Sequence, residues 1–315
     1  MKAYLVGALP RTEKLIKAYR DRAKNKISDT ALLSELESTS RAYIEVQRRN
    51  GFAYIIDGML GWNDLLRPFA SSLENVVVNG LSRWFDNNFF YKAPVITGKL
   101  SLRNRIDTSP FFHQFIETEK RKIVVPEPLT FAKLSFNKFY SRLDDLVYDI
   151  AQALAHYLRQ LGEFAQVQLT AAYLVSGKVS SEDLELSRSA VEVLRKTVDA
   201  ELMLHLQFGS AEKNLDNFLD FPVDVIGLDM FKTRVECLRG LETDKCIFLG
   251  FVDGRNTLLE DAAATVSLMK KVASMASFGE LHIGPNCELE HLPHEYALKK
   301  IEVLGEVVKL SGESL

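Results

Sequence analysis

Cysteine is scarce in this chain of 315 residues, with only Cys237, Cys246 and Cys287 present. So odd and sparse a set offers no disulfide framework and fits a reducing compartment, the cytoplasm. No apolar run reaches the roughly 18 residues of a membrane span, and the N-terminus lacks the apolar core of a signal peptide. An excess of charge of one sign is missing too. Against 39 Lys and Arg stand 42 Asp and Glu, a net charge of −3, which argues for neither a nucleic-acid nor a membrane partner. The opening VGALPR holds a single glycine and no G-x-G-x-x-G, so a doubly wound nucleotide-binding sheet is disfavoured. No stretch rich in Gly, Pro or Ser divides the chain. What is present is ordinary for a globular protein with a sizeable core: 47% hydrophobic and 26% charged residues.

Short apolar runs alternate with helix-forming sequence along the whole length. Runs that read as strands fall at 3–7, 52–56, 120–127, 164–169, 201–206, 223–228, 246–252 and 280–284. Helices are expected over 30–50, with Leu32, Leu33 and Leu36 near one face and Gly51 as its stop, and over 144–162. In the second, Leu146, Ile150, Leu154 and Leu158 share a stripe. Residues 75–121 break the rhythm. Short strands at 76–78 and 94–99 flank the aromatic stretch Trp84, Phe85, Phe89, Phe90 and Tyr91, read as an inserted hairpin over the mouth of a barrel, with its aromatics in the core. Eight strands remain, and the expected fold is α/β: a single (βα)8 TIM barrel over 1–315 with one inserted segment.

In such a barrel the ligand site lies at the C-terminal strand ends. Those ends carry Arg11, Asp57, Glu127, Thr170, His205 with Gln207, Asp229, Asp253 with Arg255 and Asn256, and Cys287. His205, Asp229 and Cys287 are natural zinc ligands by type, and they converge only if the barrel forms. Each also has a structural reading: His205 as a satisfied core residue, Cys287 as a small buried hydrophobe, Asp229 as a helix cap. His291 and His294, three residues apart, are either a ligand pair or solvated loop residues. Asp253-Gly254-Arg255-Asn256 is either a tight turn with a helix cap or an anion site at a helix start.

The ordered set VGALPR, DGMLGWNDLLRPFA, VVPEPLTF, LGFVDGRNTLLED and GPNCELEHLP resembles the cobalamin-independent methionine synthase family over nearly the whole chain. LGFVDGRN and PNCELEHLP are the most specific pieces. The resemblance implies one of two related barrels, the catalytic one holding zinc and homocysteine and taking a methyl group from a folate. The loop wording is similar to the N-terminal barrel at least as much as to the catalytic one. Where the family's catalytic barrel carries a His-x-Cys zinc pair, this chain reads LMLHLQFGSA, with His205 kept and Gln207 in the cysteine position. Asp229 stands for a Glu ligand, Cys287 is retained, and the Asp-Glu-Pro that would hold the homocysteine amine is replaced around Thr170, Ala171 and Ala172.

Replacing a thiolate by a neutral amide weakens zinc binding, and losing the acid removes a charged hydrogen bond of roughly 1.5–3 kcal/mol. The resemblance therefore implies a component of a split methionine synthase, catalytically degenerate and dependent on a separate zinc-bearing barrel as partner. Arg11, Asp57, Glu127, Asp253, Arg255 and Asn256 are then candidates for binding a folate or methyl-corrinoid donor. His205, Asp229 and Cys287 form a vestigial or weak zinc site. Two alternatives stand beside this: an active metal-dependent methyltransferase with a remodelled site, and a non-catalytic assembly subunit.

Overall fold

The runs Lys122–Pro126, Gln166–Thr170 and Val225–Asp229 are buried at every position, as strands covered on one side by helices and on the other by a filled interior must be. In the computed structural model, residues 1–85 and 90–312 are described. They form β1 (Lys2–Ala3), α1 (Glu13–Ala23), α2 (Asp29–Arg49), α3 (Arg67–Ser71), β2 (Val76–Arg83) and β3 (Phe90–Ile96). Then come β4 (Lys122–Pro126), α4 (Pro128–Lys133), β5 (Phe136–Asn137), α5 (Leu143–Leu161), β6 (Gln166–Thr170), α6 (Ser181–Arg195) and β7 (Glu201–Leu206). The last elements are α7 (Leu215–Leu219), β8 (Val225–Asp229), β9 (Cys246–Val252), α8 (Ala262–Met275), β10 (Leu281–Pro285) and α9 (His294–Gly312).

Seven parallel strands pair in the order β1-β10-β9-β8-β7-β6-β4. The expected second strand, 52–56, makes no ladder of its own. Instead, its backbone touches both edges of the curled sheet. The Ala53 N–H donates to Ala3 O (2.9 Å), the Ile55 N–H to Lys120 O (2.8 Å), and Ile55 O accepts from the Lys122 N–H (3.0 Å). The α/β class and parallel order agree with the sequence reading. The eighth strand is a bridging segment with three bonds, because Gly51 and the Asp57-Gly58 turn leave it too short for a ladder.

The strands of the seven-stranded sheet from β4 onward lie within two residues of the expected runs, whereas β1 is only Lys2–Ala3 and the hairpin strands are displaced by up to five residues; the helices follow their apolar stripes. In α5, Leu146, Ile150, Leu154 and Leu158 are all buried, each burial contributing roughly 1.5–3 kcal/mol. α2 is capped by Ser28, whose hydroxyl accepts from the Ala31 N–H, and stops at Gly51, where φ is +72°. Leu36 is buried there but Leu33 is exposed, because Tyr43, Ile44 and Gln47 set the inward face.

Two cores result. The larger fills the space between sheet and helices, and a small one inside the curl holds Tyr4, Val6, Tyr54, Met203, Val225 and Phe248. Lys122 is buried against this inner cluster, its Nζ 4.0 Å from the centre of the Tyr4 ring, and burial pushes its pKa well down.

The inserted segment is a hairpin, β2 against β3, with β5 added in parallel. Trp84 and Tyr91 are buried, as the sequence suggests, but Phe90 is 52% exposed. Phe89 lies outside the described residues. The hairpin reaches the strand ends, where the Phe85 ring centre is 6.1 Å from that of Phe208.

Candidate functional site at the strand ends

Because the seven strands run parallel, their C-terminal ends share one rim, and the loops leaving it carry the polar residues. Glu127 follows β4 and caps α4. Its carboxylate accepts from the Leu129 N–H (2.8 Å), the Thr130 N–H (2.7 Å) and the Ser187 hydroxyl (2.8 Å), all fully buried. Asp57 is engaged in the same way by the N–H groups of Met59 and Phe112, at 2.9 and 2.7 Å. Burial pushes both carboxyl pKa values up, and the hydrogen bonds oppose it. These two acids, expected at a donor site, are spent on holding backbone.

Asp253 and Asp229 are tied together. The Asn286 amide donates to Asp229 (3.1 Å) and Asp253 (3.3 Å), and its oxygen accepts from the Gly254 N–H (2.9 Å). Asp229 also accepts from the N–H groups of Phe208 (3.2 Å) and Phe231 (3.0 Å). Asp253 accepts from the Arg255 N–H (3.0 Å) and the Asn256 side chain. Residues 253–256 are therefore a tight turn. They start no helix, since α8 is capped by Asp261 instead. Arg255 is left exposed, its guanidinium 5.9 Å from the Phe208 ring centre.

His205 points into the inner core. Its Nδ1 is 3.2 Å from Gln168 Nε2, its ring meets Phe248 edge-on, and burial pushes its pKa down to about 3. Cys287 is fully buried, and its thiol is pushed well up by burial and by the neighbouring Glu288 charge. Such a thiol is a poor nucleophile at neutral pH. Of the pair His291 and His294, the second faces away and lies 2.7 Å from the Tyr43 hydroxyl.

The donors that do gather are different. Among the described residues, one group of three has donor atoms within 4.8 Å of one another: Cys287, Glu288 and His291. His205 and Asp229 belong to no such group. Glu288 and His291 are 3.2 Å apart. Burial penalises both charges, yet the pairing prevails, holding the Glu288 carboxyl below and the His291 imidazolium above their usual ranges. Gln207 is 1% exposed. It lies close enough to Glu288 to help keep it ionised, yet neither of its amide atoms completes a hydrogen bond of ordinary geometry.

Beside this cluster the rim is hollow. A cavity of about 650 Å³ is lined by Arg11, Met59, Leu60, Trp62, Glu290 and His294, among others. A recess of about 30 Å³ continues past Met59 and Trp62 to Thr170 and Glu288. Arg11 is fixed at its wall by bonds to the carbonyls of Leu60 (3.0 Å) and Trp62 (2.5 Å) and stacks over Tyr19. Glu290 projects into the hollow, so water reaches it although protein surrounds it. That setting and the nearby Glu288 charge push its carboxyl up to about 7. Sequence reasoning passed over Glu288 and Glu290, although the acids of CELEH next to a cysteine were a visible signal.

The zinc set implied by the resemblance does not fit these residues. His205 and Asp229 share no close group of donors with Cys287, both Asp229 oxygens accept hydrogen bonds, and Gln207 brings no charge. No chemical step through that set is drawn.

The fold agrees with the comparisons. The methionine synthase of Saccharolobus solfataricus is 24% identical over 99% of this chain and 95% of its own length. The 5-methyltetrahydropteroyltriglutamate–homocysteine methyltransferase of Bacillus cereus is 25% identical over 85% of this chain, which spans 40% of that relative. A solved B12-independent methionine synthase from a Shewanella species, in complex with selenomethionine, shares the fold. Its TM-score is 0.76, with 15% identity, 99% of this chain and 97% of that one covered. Residues 68–277 match the family described as cobalamin-independent synthase, N-terminal domain, and the chain belongs to that family.

Proposed function

We propose that this chain takes part in methyl transfer to homocysteine in methionine biosynthesis, as the catalytically degenerate barrel of a split methionine synthase. A separate zinc-bearing barrel acts as its partner. One observation carries the reading: the acids at the family's donor positions are engaged in structural hydrogen bonds and His205 is turned into the inner core, while the cavity beside them is intact. The cavity's volume is that of a small-molecule site, and its wall mixes Met59, Leu60 and Trp62 with Arg11 and Glu290. A folate is the donor this wall suits best, with a methyl-corrinoid as the alternative donor. Exposed Val77, Leu81, Phe90, Phe136 and Phe139 on and beside the small sheet support a partner, since soluble monomers seldom leave so much apolar surface open.

Thermal shift tests the ligand half of the reading, because a ligand that binds the folded state raises its melting temperature by mass action. Methyltetrahydrofolate at saturating concentration is expected to raise the melting temperature and homocysteine to leave it unchanged. A shift with homocysteine alone would reverse the assignment. The second reading, an active methyltransferase with a remodelled site, is favoured by the Cys287, Glu288 and His291 cluster and requires turnover by the chain on its own.

A further inference from the structure

The geometry points to a divalent metal site made by Cys287, Glu288 and His291, sharing only Cys287 with the set that the family resemblance implies. The three donors come from one short segment, the loop after β10 and its 3-10 turn Leu289–His291. They already lie within 4.8 Å of one another, with Glu288 and His291 only 11% and 7% exposed and Cys287 fully buried. Thiolate, imidazole and carboxylate together are a zinc-type donor set, and three protein ligands with an open position are the arrangement of reactive zinc centres. The soft sulfur and the imidazole favour zinc, cobalt or ferrous iron over magnesium or calcium.

Three features of the surroundings hold these donors in place. Gln207 is 1% exposed and its side chain faces Glu288, helping to hold that carboxyl ionised. The backbone makes room on two sides. A Cβ on Gly254 would come 2.8 Å from the Cys287 sulfur, and one on Gly7 2.7 Å from Glu288 Cβ. Finally, Glu288 lines the 30 Å³ recess, space for about one water, which opens toward the larger cavity. The recess reaches the cluster at Glu288 and is lined by neither Cys287 nor His291. The site holds metal whether or not the barrel transfers a methyl group.

The test uses the full chain, stripped of metal and titrated with zinc against a chromophoric chelator, and separately with cobalt(II). One equivalent is expected to bind, with a sulfur-to-cobalt charge-transfer band in the near ultraviolet. Cys287→Ser and His291→Gln should each weaken zinc by more than about 100-fold, and Gln207→Leu by about 10-fold, as neighbours that orient a bound ligand do. His205→Gln and Cys237→Ser should leave affinity unchanged. Circular dichroism of each variant separates lost binding from lost folding. If His291→Gln unfolds the chain, Gly254→Ala, which crowds the sulfur, replaces it and should weaken zinc by a similar factor. Absence of stoichiometric binding would overturn the proposal. So would a cobalt spectrum lost in His205→Gln but kept in His291→Gln, which would put the metal in the other set.

Discussion

At the scale of single residues, the rim contains two kinds of polar group, and the hydrogen-bond partners tell them apart. Glu127 is the clearest structural one. Glu127→Ala leaves two buried N–H groups and a buried hydroxyl without acceptors, each costing about 1–3 kcal/mol. A loss of several kcal/mol in urea denaturation is expected; a loss below about 1 kcal/mol would contradict the capping role.

The buried imidazoles set a pH dependence. Burial holds His205 down to about 3 and His282 to about 4, whereas a free imidazole titrates near about 6.5. Both are therefore neutral in the folded chain where the unfolded chain binds protons. Stability should fall as pH drops from about 6.5 toward those values, and the urea midpoint should fall with it. His205→Gln should flatten that slope; an unchanged slope would mean that the imidazole charges without penalty.

At the scale of elements, most of the sheet was legible because its signals are local. A run such as CIFLGFV is buried at all but its first residue, and its alternation with helical stripes points to parallel order. The segment 52–56 was legible as extended chain but not as a bridge, since what limits it is the spacing between the sheet's two edges. The site was legible only in part. Strand-end residues were found by position, but sequence cannot say that Asn286 ties Asp229 to Asp253, nor that His294 turns to Tyr43 while His291 turns to Glu288. Those outcomes depend on contacts between elements far apart in the chain.

The loop after β9 shows such a dependence. Lys300 on α9 is completely buried and donates to Leu258 O (2.6 Å) and Glu260 (2.8 Å), and Glu260 in turn accepts from the Asp253 N–H. Lys300→Met removes the cation that fixes this loop. Limited proteolysis should then cut near the exposed Leu258 and Leu259 several-fold faster, with the global melting temperature lowered less than by the Glu127 change. An unchanged cleavage rate would show that the loop is held by other contacts.

At the scale of the whole molecule, a curled parallel sheet presents a cavity at its rim beside acids engaged in structural hydrogen bonds. The 650 Å³ cavity remains, with Arg11 fixed at its wall and Glu290 lining it. The acid that would receive an amino-acid ammonium at the end of β6 is absent, with Thr170, Ala171 and Ala172 there instead. The proposed division of labour, donor binding here and thiol activation on a second barrel, is what the whole-molecule experiment must test.

The most direct measurement is methionine formation from homocysteine and a methyl donor by the purified, zinc-supplied chain, alone and then with a zinc-bearing methionine synthase barrel from the same cell. The expected result is no turnover by the chain alone and turnover once the second barrel is added, above that of the second barrel by itself. Sustained methionine formation by this chain alone would contradict the account.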